Sequence, residues 1–199
     1  MNDAFHSPPR GVYPPREDSL LLLPFAVAAP GRRVLEVGCG AGEASLAAAR
    51  AGARVVATDR NRAALEWVRD RAQAEGLVLE VVRTDLARGL GRFDVVLANP
   101  PYLPTSDAMP GEETGDRLAL DGGPDGARVT ARLVADLGDH LTPAGRAYLL
   151  VSSLQSAGAI ADVLRTWHDG GGRARRVAER ALGGEQLEVV ELTRVGGAG

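Results

Sequence analysis

Four consecutive residues, Asn99-Pro100-Pro101-Tyr102, are of the types needed to aim a flat nitrogen atom at an electrophile. The lone pair of an amide or exocyclic amine nitrogen is delocalised, so it must be pointed at the carbon that it attacks. The Asn99 side-chain oxygen and the Pro100 carbonyl can accept the two N–H hydrogens, and Tyr102 can stack on a flat group. We predict Asn99, Pro100 and Tyr102 as catalytic residues and all four, including Pro101, as substrate-binding residues. The structural alternative is a proline-stiffened turn with an Asn cap.

A glycine turn earlier in the chain could hold the molecule that supplies the electrophile. Residues 34–42 have the pattern of a strand that ends in G-x-G-x-G, and glycine lets a backbone approach a ligand closely. A dinucleotide fingerprint would need a third glycine where Glu43 stands, and a carboxylate there is unfavourable beside a pyrophosphate. Asp59 and Asp85 follow the next two predicted strands, where acids can accept from ribose hydroxyls and an adenine amino group. The pattern favours S-adenosylmethionine, which has no phosphates, over NAD.

An alternation of strands and helices must position these residues. The predicted helices are 19–29, 44–51, 61–75, 127–140 and 156–167, and the predicted strands are 34–37, 54–58, 77–82, 93–98, 146–152, 174–181 and 187–194. Alternation of this kind predicts an α/β fold with a mostly parallel sheet, and the last two strands, with no helix between them, predict an antiparallel hairpin. We expect one domain at 19–199 after a lead segment at 1–18. The connection at 99–126 is long enough to be a functional loop.

The composition argues against several other classes of protein. The 199 residues carry a net charge of −3, which is unusual for a domain that grips nucleic acid. Cys39 is the single cysteine, and the three histidines are scattered without ligand spacing, so we predict no disulfide and no metal site. No apolar run approaches the roughly 20 residues of a membrane helix, and no stretch has the pattern of a signal peptide. A cytoplasmic location with no membrane partner is therefore expected.

Several motifs together resemble the HemK-like family of protein N5-glutamine methyltransferases, in particular its short eukaryotic and archaeal branch. The motifs are residues 12–19, 36–42, 59, 84–86, 99–102 and 119–126. The resemblance implies a Rossmann-like class I methyltransferase fold with S-adenosylmethionine as cofactor. The candidate cofactor contacts are Ser19, Glu36, Gly38, Gly40, Asp59, Asp85, Leu86 and Asn99. At Ser19 the family more often has threonine, and serine keeps the hydroxyl.

Three functions are compatible with these motifs. The first is methylation of a glutamine side chain in a protein such as a peptide chain release factor. The second is methylation of an adenine or guanine amino group in nucleic acid, but this requires base flipping, and no basic groove or recognition domain is evident. The third is a non-catalytic scaffold that binds S-adenosylmethionine, which the intact run at 99–102 disfavours. The short branch uses a small zinc-binding activator subunit, so the resemblance also implies such a partner.

Overall fold

Seven strands form one sheet in the computed structural model, which describes residues 7–106 and 115–195. The strands are β1 (Arg33–Val37), β2 (Arg54–Asp59), β3 (Glu80–Arg83), β4 (Phe93–Ala98), β5 (Leu141–Ser152), β6 (Gly172–Leu182) and β7 (Glu185–Arg194). Their spatial order is β3-β2-β1-β4-β5-β7-β6. Strands β1 to β5 run parallel, whereas β7 is antiparallel to both β5 and β6. The predicted α/β fold with its C-terminal antiparallel hairpin is confirmed.

Helices cover both faces of this sheet. They are α1 (Glu17–Leu20), α2 (Leu23–Val27), α3 (Glu43–Arg50), α4 (Arg62–Ala74), α5 (Gly115–Leu120), α6 (Arg128–His140) and α7 (Ala157–Asp169). Side chains cap two of the longer ones, since Asn61 accepts from the Ala63 N–H at the start of α4 and Ser156 accepts from the Ala159 N–H at the start of α7. The apolar faces of α6 and α7 pack on one side of the sheet, and α2 and α3 pack on the other.

The predicted leading helix at 19–29 is wrong in its extent, because the structure has two short helices, α1 and α2, in its place. Pro24 explains the interruption. Proline has no N–H to donate and disfavours helical backbone at the residue before it, so it is tolerated only in the first turn. It occupies that position in α2, which begins at Leu23.

Two strands and the long connection also differ from the prediction. Strand β3 begins at Glu80, three residues later than expected, and β5 begins at Leu141, five residues earlier than expected. The first part of β5 pairs with β4 across a register shift, which local sequence does not signal. The connection at 99–126 contains α5, and its residues 107–114 lie outside the described part of the chain.

The described part of the lead segment packs against the rest of the fold. Val12 is buried against Ala41 and Ala64, and Asp18 is buried although it is charged. Residues 1–6 lie outside the described residues, and the division at 18/19 stays a prediction. Within the described ranges, no helix has the length and apolar character needed to cross a membrane.

Candidate active site

The register of the sheet brings the ends of three neighbouring strands together. Val37 at the end of β1 pairs with Thr58 of β2 and with Ala98 of β4. The residues that follow, Gly38 and Asn99, therefore emerge side by side, as expected for ligand sites in parallel α/β sheets. A cavity of about 290 Å³ opens at this edge. Its lining includes every predicted site residue: Ser19, Glu36, Gly38, Gly40, Asp59, Asp85, Leu86, Asn99, Pro100, Pro101 and Tyr102.

The glycines of the turn after β1 are required for two different structural reasons. Gly38 and Gly40 adopt positive φ angles of 69° and 49°, which side chains rarely allow. A Cβ atom at Gly38 would meet nothing within 4 Å, so the turn is open on its cavity side. At Gly42, by contrast, a Cβ would lie 2.4 Å from a methyl group of Val68. Gly38 thus leaves the backbone of the turn open, a Cβ at Gly40 would contact Tyr13 at 3.8 Å, and Gly42 lets α4 pack against the turn.

Two carboxylates, the half-buried Asp59 and the buried Glu36, hold this turn and the start of α3 in place. Asp59 accepts the backbone N–H groups of Gly40 at 3.0 Å and Asn61 at 2.7 Å. Glu36 accepts both the N–H of Ser45, at 2.8 Å, and the Ser45 hydroxyl. Burial raises the pKa of both groups, that of Glu36 to about 7, although the hydrogen bonds favour the ionised forms. Both carboxyls line the cavity, where their roles as cofactor contacts stay predictions.

The third predicted contact region, after β3, is strained. Leu86 has a φ of 56°, and within the described residues it is the one non-glycine position with a positive φ. Such a conformation costs about 1–3 kcal/mol and is found mainly at functional sites. The Thr58 hydroxyl donates to the Leu86 carbonyl at 2.9 Å and holds it there. Asp85, half-exposed beside it, forms an ion pair with Arg132 of α6.

Beside the glycine turn, Asn99 and Tyr102 converge on one carboxylate, Asp18. The Asn99 Nδ2 donates to Asp18 Oδ2 at 3.1 Å, and the Tyr102 hydroxyl donates to the same oxygen at 3.4 Å. The Tyr13 hydroxyl is a third donor to it, at 3.2 Å. Burial, followed by the charge of Asp18, raises the pKa of Tyr102 well above its usual value, so its phenol stays protonated.

Comparisons with known proteins agree with this geometry. Residues 17–110 match the Methyltransferase small domain family. A Methanocaldococcus jannaschii protein that carries the name protein N5-glutamine methyltransferase is 38% identical over 148 residues, which cover 72% of this chain and 73% of that protein. The chain belongs to the protein N5-glutamine methyltransferase family. The release factor glutamine methyltransferase of Deinococcus radiodurans is 41% identical over 165 residues, and the match spans 76% of this chain and 59% of that enzyme.

A solved relative has the same fold. The E. cuniculi Mtq2–Trm112 complex is described as responsible for methylation of the eRF1 translation termination factor. Its matching chain is 28% identical, has a TM-score of 0.71, and aligns over 92% of this chain and 99% of its own length. The present chain is thus an S-adenosylmethionine-dependent methyltransferase with the fold expected from its sequence.

The residues of the cavity fit S-adenosylmethionine. The open turn at Gly38 provides backbone against which a ligand can lie. The carboxylates of Asp59 and Asp85 can accept from hydroxyl and amino groups, and a wall rich in carboxylates suits a cation. When bound, this cofactor supplies a methyl group on a positively charged sulfur. The protein therefore has to position a nucleophile and needs no metal for the transfer.

A glycine-rich segment supports the substrate side of the site. The Gly122 N–H donates to the Leu103 carbonyl at 2.8 Å, which ties residues 119–126 to the chain just after Tyr102. A Cβ at Gly126, where φ is 74°, would lie 2.4 Å from the Tyr102 carbonyl oxygen. The predicted functional loop thus sets the position of the Tyr102 backbone.

The cavity-wall residues that the sequence analysis did not predict include three with ionisable side chains close to the run at 99–102 or in the hairpin: Tyr13, Asp18 and Glu185. Tyr13 and Asp18 lie within the motif at 12–19, and an acid next to the Ser19 hydroxyl was a signal that could have identified Asp18. Glu185, the first residue of β7, also lines the cavity and accepts a hydrogen bond from the Ser152 hydroxyl at 2.5 Å. No motif connects Glu185 to the site, because the hairpin that carries it is remote in sequence.

Proposed function

We propose that this enzyme transfers a methyl group from S-adenosylmethionine to the side-chain amide nitrogen of a glutamine in a peptide chain release factor. The observation that carries the proposal is the position of Asn99-Pro100-Pro101-Tyr102. The run starts directly at the end of β4 and lines the same cavity as the glycine turn. The names of the relatives supply the substrate class, since both the Deinococcus radiodurans and the E. cuniculi proteins are described by their action on termination factors.

The proposed role of the run is to orient the target amide. The Asn99 side-chain oxygen and the Pro100 carbonyl accept its two N–H hydrogens, which fixes the nitrogen and favours a pyramidal, nucleophilic form. The Tyr102 ring forms a wall against the flat amide. As the new N–C bond forms and the methyl–sulfur bond breaks, the nitrogen becomes strongly acidic and loses one proton to water, and S-adenosylhomocysteine is the second product. No general base is required for this step.

The test is methyl transfer by Asn99→Ala with labelled cofactor and a release-factor fragment that contains the target glutamine. Turnover should fall at least about a hundredfold, the scale expected when one oriented transition-state contact is lost. Asn99→Asp should lose part of the rate but less than Asn99→Ala, because its carboxyl group still accepts hydrogen bonds although it no longer donates to Asp18. Binding of S-adenosylhomocysteine, measured by calorimetry, should fall only modestly in either variant, because the other predicted cofactor contacts are kept, and it serves as the control for folding.

Two outcomes would overturn the proposal. A rate for Asn99→Ala within about threefold of the parent would exclude the orienting role, since the expected loss is far larger. Mass spectrometry that places the methyl group on an adenine or guanine amino group, with no methylated glutamine, would exclude the protein substrate. Such a result would favour the nucleic-acid alternative.

A small activator subunit that binds zinc is part of the proposal. The support is that the E. cuniculi relative, which aligns over 99% of its length, forms a complex with Trm112. A release-factor substrate would also place the reaction in the cytoplasm. Full activity of the purified chain alone on its substrate would exclude a required partner.

A further inference from the structure

Asp18 has no role in the proposed transfer, yet it is the most heavily hydrogen-bonded side chain of the cavity wall. It is a carboxylate with only 4% of its surface exposed. Its Oδ1 accepts the Ser19 backbone N–H at 2.7 Å and the Ser19 hydroxyl at 3.3 Å. Its Oδ2 accepts from Asn99, Tyr13 and Tyr102. All five donors are uncharged, so Asp18 acts as an acceptor shared by neighbouring groups.

From this arrangement we propose that Asp18 is a positioning residue that selects which end of the Asn99 amide faces the substrate. The inference rests on the proposed function of Asn99. An ionised carboxylate can only accept hydrogen bonds. It therefore draws the Nδ2 end of Asn99 toward itself, and the opposite end of the planar amide, Oδ1, is turned to the cavity. That oxygen is the atom required to accept an N–H of the target amide.

The same carboxylate oxygen holds the aromatic wall. The Tyr102 hydroxyl donates to Asp18 Oδ2, so the ring and the Asn99 amide are fixed by one atom. Charge-assisted hydrogen bonds of this kind are stronger than neutral ones. Asp18 itself is held by the backbone N–H of Ser19, which cannot rotate away. Asp18 thus connects the fixed backbone of Ser19 to the side chains of Asn99 and Tyr102, which lie more than 80 residues away in sequence.

Asp18→Asn should reverse this polarity with almost no change in shape. The fixed Ser19 N–H needs an acceptor, so the single oxygen of the new side chain is kept on that side. Its NH₂ group then faces Asn99 and requires an acceptor there. The Asn99 amide is expected to rotate by half a turn, which presents N–H instead of oxygen to the substrate. Two donors would then face each other, and the target nitrogen would lose its orientation.

The experiment measures kcat, KM and product-cofactor affinity for Asp18→Asn beside a matched control. The control is Asp94→Asn, since Asp94 also accepts one backbone N–H, from Arg33 at 3.0 Å, and one hydroxyl, from Thr142 at 3.1 Å, at the start of β4 far from the cavity. We expect kcat to fall about tenfold or more in Asp18→Asn and to stay unchanged in Asp94→Asn. The affinity for S-adenosylhomocysteine should change little in both.

A double-mutant cycle separates positioning from a general structural role. If Asp18 acts through Asn99, then Asp18→Asn should cause a much smaller loss of kcat in the Asn99→Ala background than in the parent, and the loss that remains comes from Tyr102. Additive losses in the cycle would overturn the proposal. Asp18→Glu, which keeps a carboxylate, should recover part of the rate that Asp18→Asn loses.

A readout without turnover keeps this inference separate from the proposed function. Isotope-edited NMR of the Asn99 side-chain NH₂, identified by its loss in Asn99→Ala, should show slow hydrogen exchange in the parent and fast exchange in Asp18→Asn. A protected NH₂ in both proteins would refute the role of Asp18. If the NMR change occurs while the parent fails to methylate any release-factor fragment, the proposed substrate is wrong and the positioning of Asn99 stands.

Discussion

Replacing Glu36 by glutamine should remove a large part of the pH dependence of stability. Only 8% of the Glu36 surface is exposed beneath the glycine turn. This burial raises its pKa from the usual 4.5 to about 7, against the opposing effect of the hydrogen bonds from Ser45. At about 1.4 kcal/mol for each pH unit between the folded and unfolded pKa values, ionisation of Glu36 costs the folded state about 3 kcal/mol. Glutamine cannot ionise and avoids this cost.

The direction in which stability changes with pH follows from how tightly the folded and unfolded chains bind the Glu36 proton. The folded protein holds the Glu36 proton more tightly than the unfolded chain does, so this contribution to stability is fully present below about pH 4.5 and is lost as the pH rises through about 7. Urea unfolding should therefore show that the stability of the parent, relative to Glu36→Gln, falls by about 3 kcal/mol between about pH 4.5 and about pH 8. The measurement is made without cofactor, because Glu36 is a predicted cofactor contact.

A second variant tests the cause of the shift. Ser45→Ala removes the hydroxyl that donates to Glu36 and favours its ionised form. The pKa of Glu36 should rise further, and the loss of stability should move to higher pH. A difference in stability between the parent and Glu36→Gln that does not vary with pH would refute the assignment of the raised pKa to this carboxyl.

Two further predictions concern the turn and the loop. Gly126→Ala places a Cβ 2.4 Å from the Tyr102 carbonyl oxygen, so it should raise KM. It should also lower the free energy of unfolding, measured in urea, by more than the roughly 1–2 kcal/mol of left-handed strain. Gly76→Ala is the control, because it has a similar φ but nothing within 4 Å, and it should lower the free energy of unfolding by that strain alone. Asp59→Ala should weaken binding of S-adenosylhomocysteine by about 1–3 kcal/mol in calorimetry, because the Gly40 N–H and the ligand both lose an acceptor. Unchanged affinity would mean that Asp59 serves the turn alone.

Most strands of the sheet could be predicted from the sequence because the residue patterns that indicate them are local. Apolar runs, the glycine turn and the alternation with helices specify β1, β2 and β4 to within about one residue, without knowledge of their partners. Strand β5 was placed too late because Pro143 and Gly145 are turn residues. The structure instead absorbs them in a register shift between β4 and β5, which is set by pairing and not by local preference.

The candidate site could be predicted where each residue stands at the end of a strand. Gly38, Asp59 and Asn99 are in such positions, and parallel pairing brings them to one edge. The contact of Asp18 with Asn99 joins residues 81 positions apart, across a helix of only four residues. No periodicity signals that contact. Likewise, the ion pair of Arg132 with Asp85 depends on how α6 crosses the sheet.

The run at 99–102 alone does not distinguish a glutamine amide from a nucleobase amino group, since both present a flat nitrogen with two hydrogens. The walls around the run come from elsewhere: Tyr13 and Arg16 belong to the lead segment, and Glu185 belongs to the C-terminal hairpin. Arg180, near the tip of that hairpin, pairs with Glu17 of α1 at 2.5 Å and joins the two walls. This ion pair joins the lead segment to the hairpin, whereas Gly38, Asp59 and Asn99 lie at or just after the ends of β1, β2 and β4. We therefore expect substrate choice to depend on the lead segment and the hairpin as well as on the run at 99–102.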